Sequence, residues 1–298
     1  MPDLPGAEVD LLVLGRGPAG VSCALQARRD GWRVLLVGDE PVGGLVRAAR
    51  RIDNLAGRPG VSGTRFAAAL GRQLRTTGAR SVQAGIAALR CESGWFVADG
   101  SGGFEARARA VCLATGTRPR RWLASSERAA RDVRALPREL AGARVVVVGG
   151  GEAALDTALS AADRGAHVAV LVRGAQPRSA PGLLDEVLRA GLELRCGVEV
   201  EGVSGGPGAW RLACRSGGSV AAEQLVVCIG REPRDELLQG LGLEALAPSV
   251  DQPALPGLFA AGDVIRGRER YVATALGDGQ RAALAAAAFL EAGRTSRP

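Results

Sequence analysis

The chain has no lysine: all 38 of its basic residues are arginine, and it holds one histidine and one tyrosine. No lysine amine is therefore present to form a Schiff base, and one histidine leaves little for proton transfer. No pair of Asp or Glu residues stands at a spacing that marks a general acid and base. Aromatic residues make up 3% of the sequence, too few for platforms that stack single-stranded nucleic acid. No apolar run approaches the roughly 20 residues that cross a bilayer. The start, Met1-Pro2-Asp3-Leu4-Pro5, lacks the basic-then-apolar order of a secretory signal, so a cytoplasmic protein is expected. The six cysteines, Cys23, Cys91, Cys112, Cys196, Cys214 and Cys228, never fall at Cys-x-x-Cys or zinc-site spacing, so no metal is expected. All but Cys91 lie in helical or strand-like runs and are expected as buried small hydrophobes. Spacing leaves open a pair brought together by folding. His167 begins an apolar strand and is expected to be structural.

What is present is glycine, 43 residues of it, in two telling places. The apolar run Val9–Leu14 leads into Gly15-Arg16-Gly17-Pro18-Ala19-Gly20 and then a helical pattern. The run Ala143–Val148 leads into Gly149-Gly150-Gly151-Glu152-Ala153-Ala154 and then another. In such a turn the first glycine permits the bend and the second lets the main chain approach a pyrophosphate. The third small residue lets helix and strand pack, while the helix start offers free N–H groups. Two such units predict two nucleotide sites. Arg33–Val37 reads as the second strand of the first unit, with Asp39 and Glu40 as candidates for holding adenosine ribose hydroxyls, although Gly38 sits where that acid often stands. Arg80–Phe104 reads as a small meander, and Ala110–Gly116 as an apolar strand with a small-residue turn. In the second unit Ala166–Val172 is the second strand. Arg173 and Arg178 follow it where a ribose-binding acid would otherwise stand, an arrangement that suits a 2′-phosphate as well as a solvated loop. Near the end, Gly262-Asp263 follows an apolar strand, and an alanine-rich helix reaches Ala292. The net charge of +7 would draw acidic partners, or serve solubility alone.

Taken together these landmarks resemble the small thioredoxin reductase family of flavoproteins, within the pyridine nucleotide-disulfide oxidoreductase superfamily, from about residue 9 to 290. The likeness rests on both glycine turns, Gly43-Gly44-Leu45, Ile52-Asp53-Asn54, Ala114-Thr115-Gly116, Arg173 with Arg178, and Phe259-Ala260-Ala261-Gly262-Asp263-Val264. It implies an α/β fold of two Rossmann-like three-layer domains, the second inserted into the first: residues 1–117 and 231–298 for FAD, and 119–229 for NADPH or NADH. By resemblance FAD is held by Gly15, Gly17, Pro18, Ala19, Gly20, Asp39, Glu40, Gly43, Gly44, Leu45, Asn54, Thr115, Gly116, Gly262, Asp263, Tyr271 and Val272. NADP is held by Gly149, Gly151, Glu152, Ala153, Arg173 and Arg178. A homodimer is implied as well.

The departures bear on the chemistry. The family's redox Cys-x-x-Cys belongs just before the second glycine turn, where Arg131–Gly142 here holds no cysteine, so the usual thiol relay is not expected. A related branch places a cysteine where Ala19 stands. A histidine-arginine-arginine motif appears as Val172-Arg173-Gly174, and Tyr271 replaces a glutamine beside the flavin. With few amino-acid catalysts, the flavin itself is expected as the reactive group, passing electrons from NAD(P)H to an external acceptor such as ferredoxin, flavodoxin or a small molecule. A nicotinamide-independent flavoenzyme and a non-catalytic flavin-binding scaffold are the alternatives.

Overall fold

The computed structural model describes residues 6–244 and 255–295, so Met1–Pro5 lies outside the described residues. Two compact units divide the chain: 1–47, 53–118 and 233–298 form the first, and 48–52 with 119–232 form the second.

The first unit opens with β1 (Ala7–Leu14), whose last four residues are fully buried. A strand covered on both faces reads as a continuous apolar run rather than an alternation. After it α1 (Pro18–Arg29) begins on a proline, whose fixed φ suits a first helical turn and whose missing N–H would have had no helical partner. Next come β2 (Val34–Gly38), α2 (Gly63–Thr76), β3 (Arg80–Gln83), β4 (Ile86–Glu92), β5 (Trp95–Gly100) and β6 (Glu105–Leu113). Ser62 caps α2 by accepting a hydrogen bond from the Arg65 N–H at 3.4 Å.

The strands are ordered β3-β2-β1-β6-β5-β4. The first four of that order, β3, β2, β1 and β6, are parallel neighbours, while β5 and β4 run antiparallel beyond β6. The stretch Arg80–Phe104 is thus not one meander. Its first strand is the edge of the parallel sheet, because α2 supplies the crossover that a parallel neighbour of β2 requires. The meander begins only at β4.

The chain leaves along β7 (Thr117–Pro119) and later returns along β15 (Arg231–Pro233), which pair with each other. Between them the second unit contains β8 (Arg144–Val148), α3 (Glu152–Ala162), β9 (His167–Val172), α4 (Pro181–Arg189) and β10 (Glu193–Cys196), then β11 (Val200–Gly206), β12 (Ala209–Cys214), β13 (Ser219–Ala222) and β14 (Gln224–Val227). A parallel sheet β10-β9-β8-β14 and an antiparallel sheet β11-β12-β13 result. Val145, Val147, Leu155, Leu159 and Val170 fill one core cluster.

Back in the first unit, β16 (Leu258–Ala260) pairs with the second half of β6, and α5 (Val272–Thr295) packs against α1. The helix starts well before the alanine-rich run, so Gly277 and Gly279 lie inside it. Gly279 is required there: a Cβ would sit 2.1 Å from the Ala19 carbonyl oxygen, so the two helices cross through it.

The cysteine expectation holds for Cys23 and Cys112, both buried, but not for Cys196, which is exposed at the end of edge strand β10. Cys214 and Cys228 are half-buried. A hydrogen bond with Cys112, added to burial, pushes the Cys23 thiol well above its ordinary range. His167 is exposed at the start of β9.

Candidate nucleotide-binding sites

Parallel strands with helical crossovers leave their carboxyl ends open, and ligands bind beyond those ends. In the first unit the ends of β1, β2, β6 and β16 bring together Gly15–Gly20, Gly38–Glu40, Ala114–Gly116 and Ala261–Val264. Backbone hydrogen bonds fix the arrangement: Gly15 N–H to Val37 O at 2.7 Å, Ala114 N–H to Leu14 O at 2.7 Å, and Ala261 N–H to Leu113 O at 3.0 Å. Gly15 has φ +120, and a Cβ there would lie 2.0 Å from the Ala114 carbonyl oxygen. A Cβ on Gly20 would lie 1.8 Å from the Gly15 oxygen. Both are dictated by the protein's own contacts.

The other residues named from the sequence cluster around this turn. The Gly43 N–H donates to Arg16 O at 2.8 Å, and Gly44 packs against Gly17. Leu45 is half-buried in the same short helical turn as Gly44. The Thr115 hydroxyl donates to Arg234 O at 2.5 Å, and the Arg234 N–H donates to Gly116 O at 3.0 Å. Asp39 and Glu40 are both exposed, and Asp39 pairs with Arg234 at 3.1 Å. Burial raises the Asp39 pKa, but the Arg234 hydrogen bond and charge outweigh it and leave the carboxyl below the usual aspartate range. Pro18, Ala19 and Gly20 form the first turn of α1. Tyr271 is exposed and Val272 half-buried at the start of α5. Asn54 is an exposed bend residue.

Two residues that sequence reasoning missed hold the C-terminal part of this site. Asp278, with a side chain 4% exposed, makes a two-pronged pair with Arg266 at 2.5 and 2.9 Å and accepts the Gly262 N–H at 3.3 Å. The pair ties α5 to the turn Gly262–Val264 that carries Asp263. An acid between two glycines inside an alanine-rich helix was the available signal.

In the second unit Gly149 N–H donates to Leu171 O at 3.0 Å, and a Cβ on Gly149 would lie 2.1 Å from the Cys228 oxygen. Gly151 precedes α3, Glu152 and Ala153 occupy its first turn, and both side chains are exposed. The loop after β9 folds onto this turn: the Arg178 N–H donates to Gly150 O at 2.6 Å, and the Ala180 N–H to Glu152 Oε1 at 3.2 Å. Arg173 and Arg178 are exposed and make no carboxylate pair among the described residues, and the Ser179 hydroxyl beside them is buried without a hydrogen-bond partner.

Both units are α/β with a glycine turn between a parallel strand and a helix, and the chain belongs to the pyridine nucleotide-disulphide oxidoreductase family, whose model matches residues 9–279. Among its relatives, an alkyl hydroperoxide reductase component of Pseudomonas putida is 31% identical over 315 residues, covering 97% of this chain and 59% of that protein. The chain thus spans less than two thirds of that relative's length. A ferredoxin–NADP reductase of Ignicoccus hospitalis is 29% identical over 285 residues, covering 89% of this chain and 93% of that protein. In fold, thioredoxin reductase of Lactococcus lactis matches with a TM-score of 0.86 at 20% identity, over 95% of this chain and 99% of the other. No helix among the described residues is long and apolar enough to cross a membrane.

Proposed function

We propose that the protein is a flavoenzyme that binds FAD in the first unit and a nicotinamide dinucleotide in the second, passing electrons from NAD(P)H to an external acceptor without a protein dithiol. The observation that carries this reading is a pair of glycines the protein does not need for itself. Gly17 has φ −76 and Gly151 φ −95, values open to any residue, and a Cβ on either would meet no atom within 4 Å. A side chain at those points would intrude only on a molecule lying against the helix start, where free N–H groups favour a pyrophosphate.

Bound FAD supplies the hydride and electron chemistry, which the side chains of this protein do not. The chain's own residues bind and orient: Gly15, Gly17, Pro18, Ala19 and Gly20 at the pyrophosphate, Asp39 and Glu40 toward the ribose, Thr115 and Asp263 toward polyol hydroxyls, Tyr271 and Val272 beside the ring. Asp39 shares its carboxylate with Arg234. Arg173, Arg178 and the unpartnered Ser179 hydroxyl are the donors offered to a 2′-phosphate. In place of a dithiol, the segment 131–142 contributes Val133, Leu136 and Leu140 to the second unit's core. The partners proposed are a second copy of the chain and an acidic electron carrier, such as ferredoxin or flavodoxin, or a small-molecule acceptor.

Anaerobic mixing of the flavin-loaded protein with NADPH or NADH tests this: the flavin absorption bands bleach. Failure with both nucleotides overturns it. One observation favours a second reading, a flavoenzyme that uses no nicotinamide: Glu152 places a carboxylate at the start of α3, where it repels a pyrophosphate. Arg173→Ala separates the two, weakening NADPH at least about tenfold under the first and changing nothing under the second.

A further inference from the structure

The surface around α2 carries charge that none of the proposed cofactor contacts uses. Beside the first glycine turn a groove of about 550 Å³ is lined by Arg16, Arg47, Arg72 and Arg75, with Gly71 and Ser81 between them and no carboxylate among its lining residues. An adjoining hollow of about 740 Å³ shares Arg72 and adds Arg58 and Arg65. Elsewhere exposed arginines find acids: Arg33 with Asp10, Arg134 with Asp132, Arg215 with Glu199 and Glu201. Among the described residues, none of the four groove arginines has a carboxylate within ion-pair distance.

Arg16 is the anchor. It is half-buried, and neutral acceptors hold it in place: Ser81 Oγ, Glu40 O and Gln83 Oε1, each at 3.2 Å. Burial draws its guanidinium below the ordinary arginine range, and no acid compensates. Its stem fills the place beside Gly38 where a ribose-binding acid would project, since a Cβ on Gly38 would lie 3.2 Å from Arg16 Cγ. A fixed, partly desolvated cation without an anion is costly unless an anion arrives.

We propose that this groove binds a small phosphate-bearing molecule through Arg16, Arg47, Arg72 and Arg75. Planar guanidinium forks match the oxygens of a phosphate in a two-pronged way. The volume falls in the range of roughly 300–1,000 Å³ typical of small-ligand sites. An acidic protein would instead need about 800 Å² of surface on its side, for which a groove is a poor fit. The site stands whether or not the flavin reading does, because none of the four arginines is a proposed flavin contact.

The test uses the full chain, with FAD added, in an Arg173→Ala/Arg178→Ala background that removes the other arginines offered to phosphate. Isothermal titration with inorganic pyrophosphate at low salt is expected to show saturable binding. Arg72→Ala/Arg75→Ala, both exposed positions, weakens it at least about tenfold, while Arg72→Lys/Arg75→Lys falls between because charge remains and the fork is lost. The same proteins are sedimented with phosphatidylcholine vesicles with and without phosphatidic acid. Uptake on the acidic vesicles alone, lost in the alanine pair, assigns a lipid headgroup as the source; pyrophosphate binding without such uptake assigns a soluble phosphate compound. No saturable binding, or an affinity unchanged by the alanine pair, overturns the proposal.

Discussion

Gly17→Ala separates a glycine kept for a ligand from a glycine kept for the fold. The new methyl meets no protein atom within 4 Å, and φ −76 is ordinary for alanine. Gly17 is also the N-cap of α1, where alanine costs about 0.5 kcal/mol or somewhat more than glycine. Against this, replacing glycine restricts the unfolded chain and returns about 0.4–1 kcal/mol. The two offset, so flavin-free protein should unfold within about 0.5 kcal/mol of the parent by urea titration. Flavin binding should suffer far more. A methyl standing between the backbone and a pyrophosphate removes the close approach, and a loss of about 1.4 kcal/mol or more is a tenfold or greater rise in Kd. Fluorescence titration of flavin-free protein with FAD reads this directly. Gly20→Ala is the control: its Cβ would lie 1.8 Å from the Gly15 oxygen, so it should unfold the unit whether flavin is present or not. If Gly17→Ala binds FAD as tightly as the parent, no pyrophosphate lies against Gly17 and the glycine is not kept for a ligand.

Other changes test separate parts of the site. Asp278→Asn weakens a pair whose acid is 4% and whose arginine is 25% exposed, so about 2 kcal/mol is expected, less than for a fully buried pair. Thermal melting should drop by about 4–8 °C with faster flavin release. Asp39 has a depressed folded pKa, so its contribution to stability is complete above its unfolded value near 4 and is lost as pH falls through the lower folded value. Because its side chain is 52% exposed, Asp39→Asn should flatten the acid loss by only about 0.5 kcal/mol in urea midpoints taken from pH 3 to 7. Asp156 has the opposite sign. Burial raises it and the N–H groups and charges of Arg50 and Arg51 only partly offset that, so Asp156→Asn should gain more stability at pH 7 than at pH 4. Thiol labelling of folded protein should reach Cys91 and Cys196 at once and leave Cys23 and Cys112 until unfolding, as mass spectrometry of the labelled peptides would show.

The fold is legible in the sequence because its signals are local. An apolar run, a glycine turn and a helical period need no distant partner to be recognised, and they occur twice. The sequence misleads where distant contacts decide. β3 reads with the strands after it because its residues, Arg80–Gln83, carry no mark of being parallel; α2 lying before it decides that. The start of α5 is hidden because Gly277 and Gly279 look like helix breakers, whereas Gly279 is there for the helix crossing at Ala19. Cys196 reads as buried because it lies in a strand-like run, but burial depends on whether a strand is an edge. Asp278 escapes notice for the same kind of reason, since its partners Arg266 and Gly262 lie a turn and a loop away.

Residues with an internal purpose can be separated from those without one, and the second group is where function should be sought. Gly15, Gly20 and Gly149 would collide with their own backbone if they carried side chains, so they would persist in a protein that bound nothing. Gly17 and Gly151 would not, nor does the chain's stability explain a buried Ser179 hydroxyl with no partner or four arginines around a groove without an acid. Each of these is a small cost or an unspent opportunity in the isolated chain. Selection for folding alone offers no reason to hold them, and all of them suit the same kind of visitor, a molecule bearing phosphate. The second glycine turn is the sharper case, because Glu152 at its helix start opposes that charge while Arg173 and Arg178 invite it. Glu152→Gln therefore ought to tighten NADPH binding without touching flavin reduction by an artificial donor. An unchanged affinity would mean that the carboxylate already points clear of the nucleotide and that its bond to Ala180 serves only to position the loop.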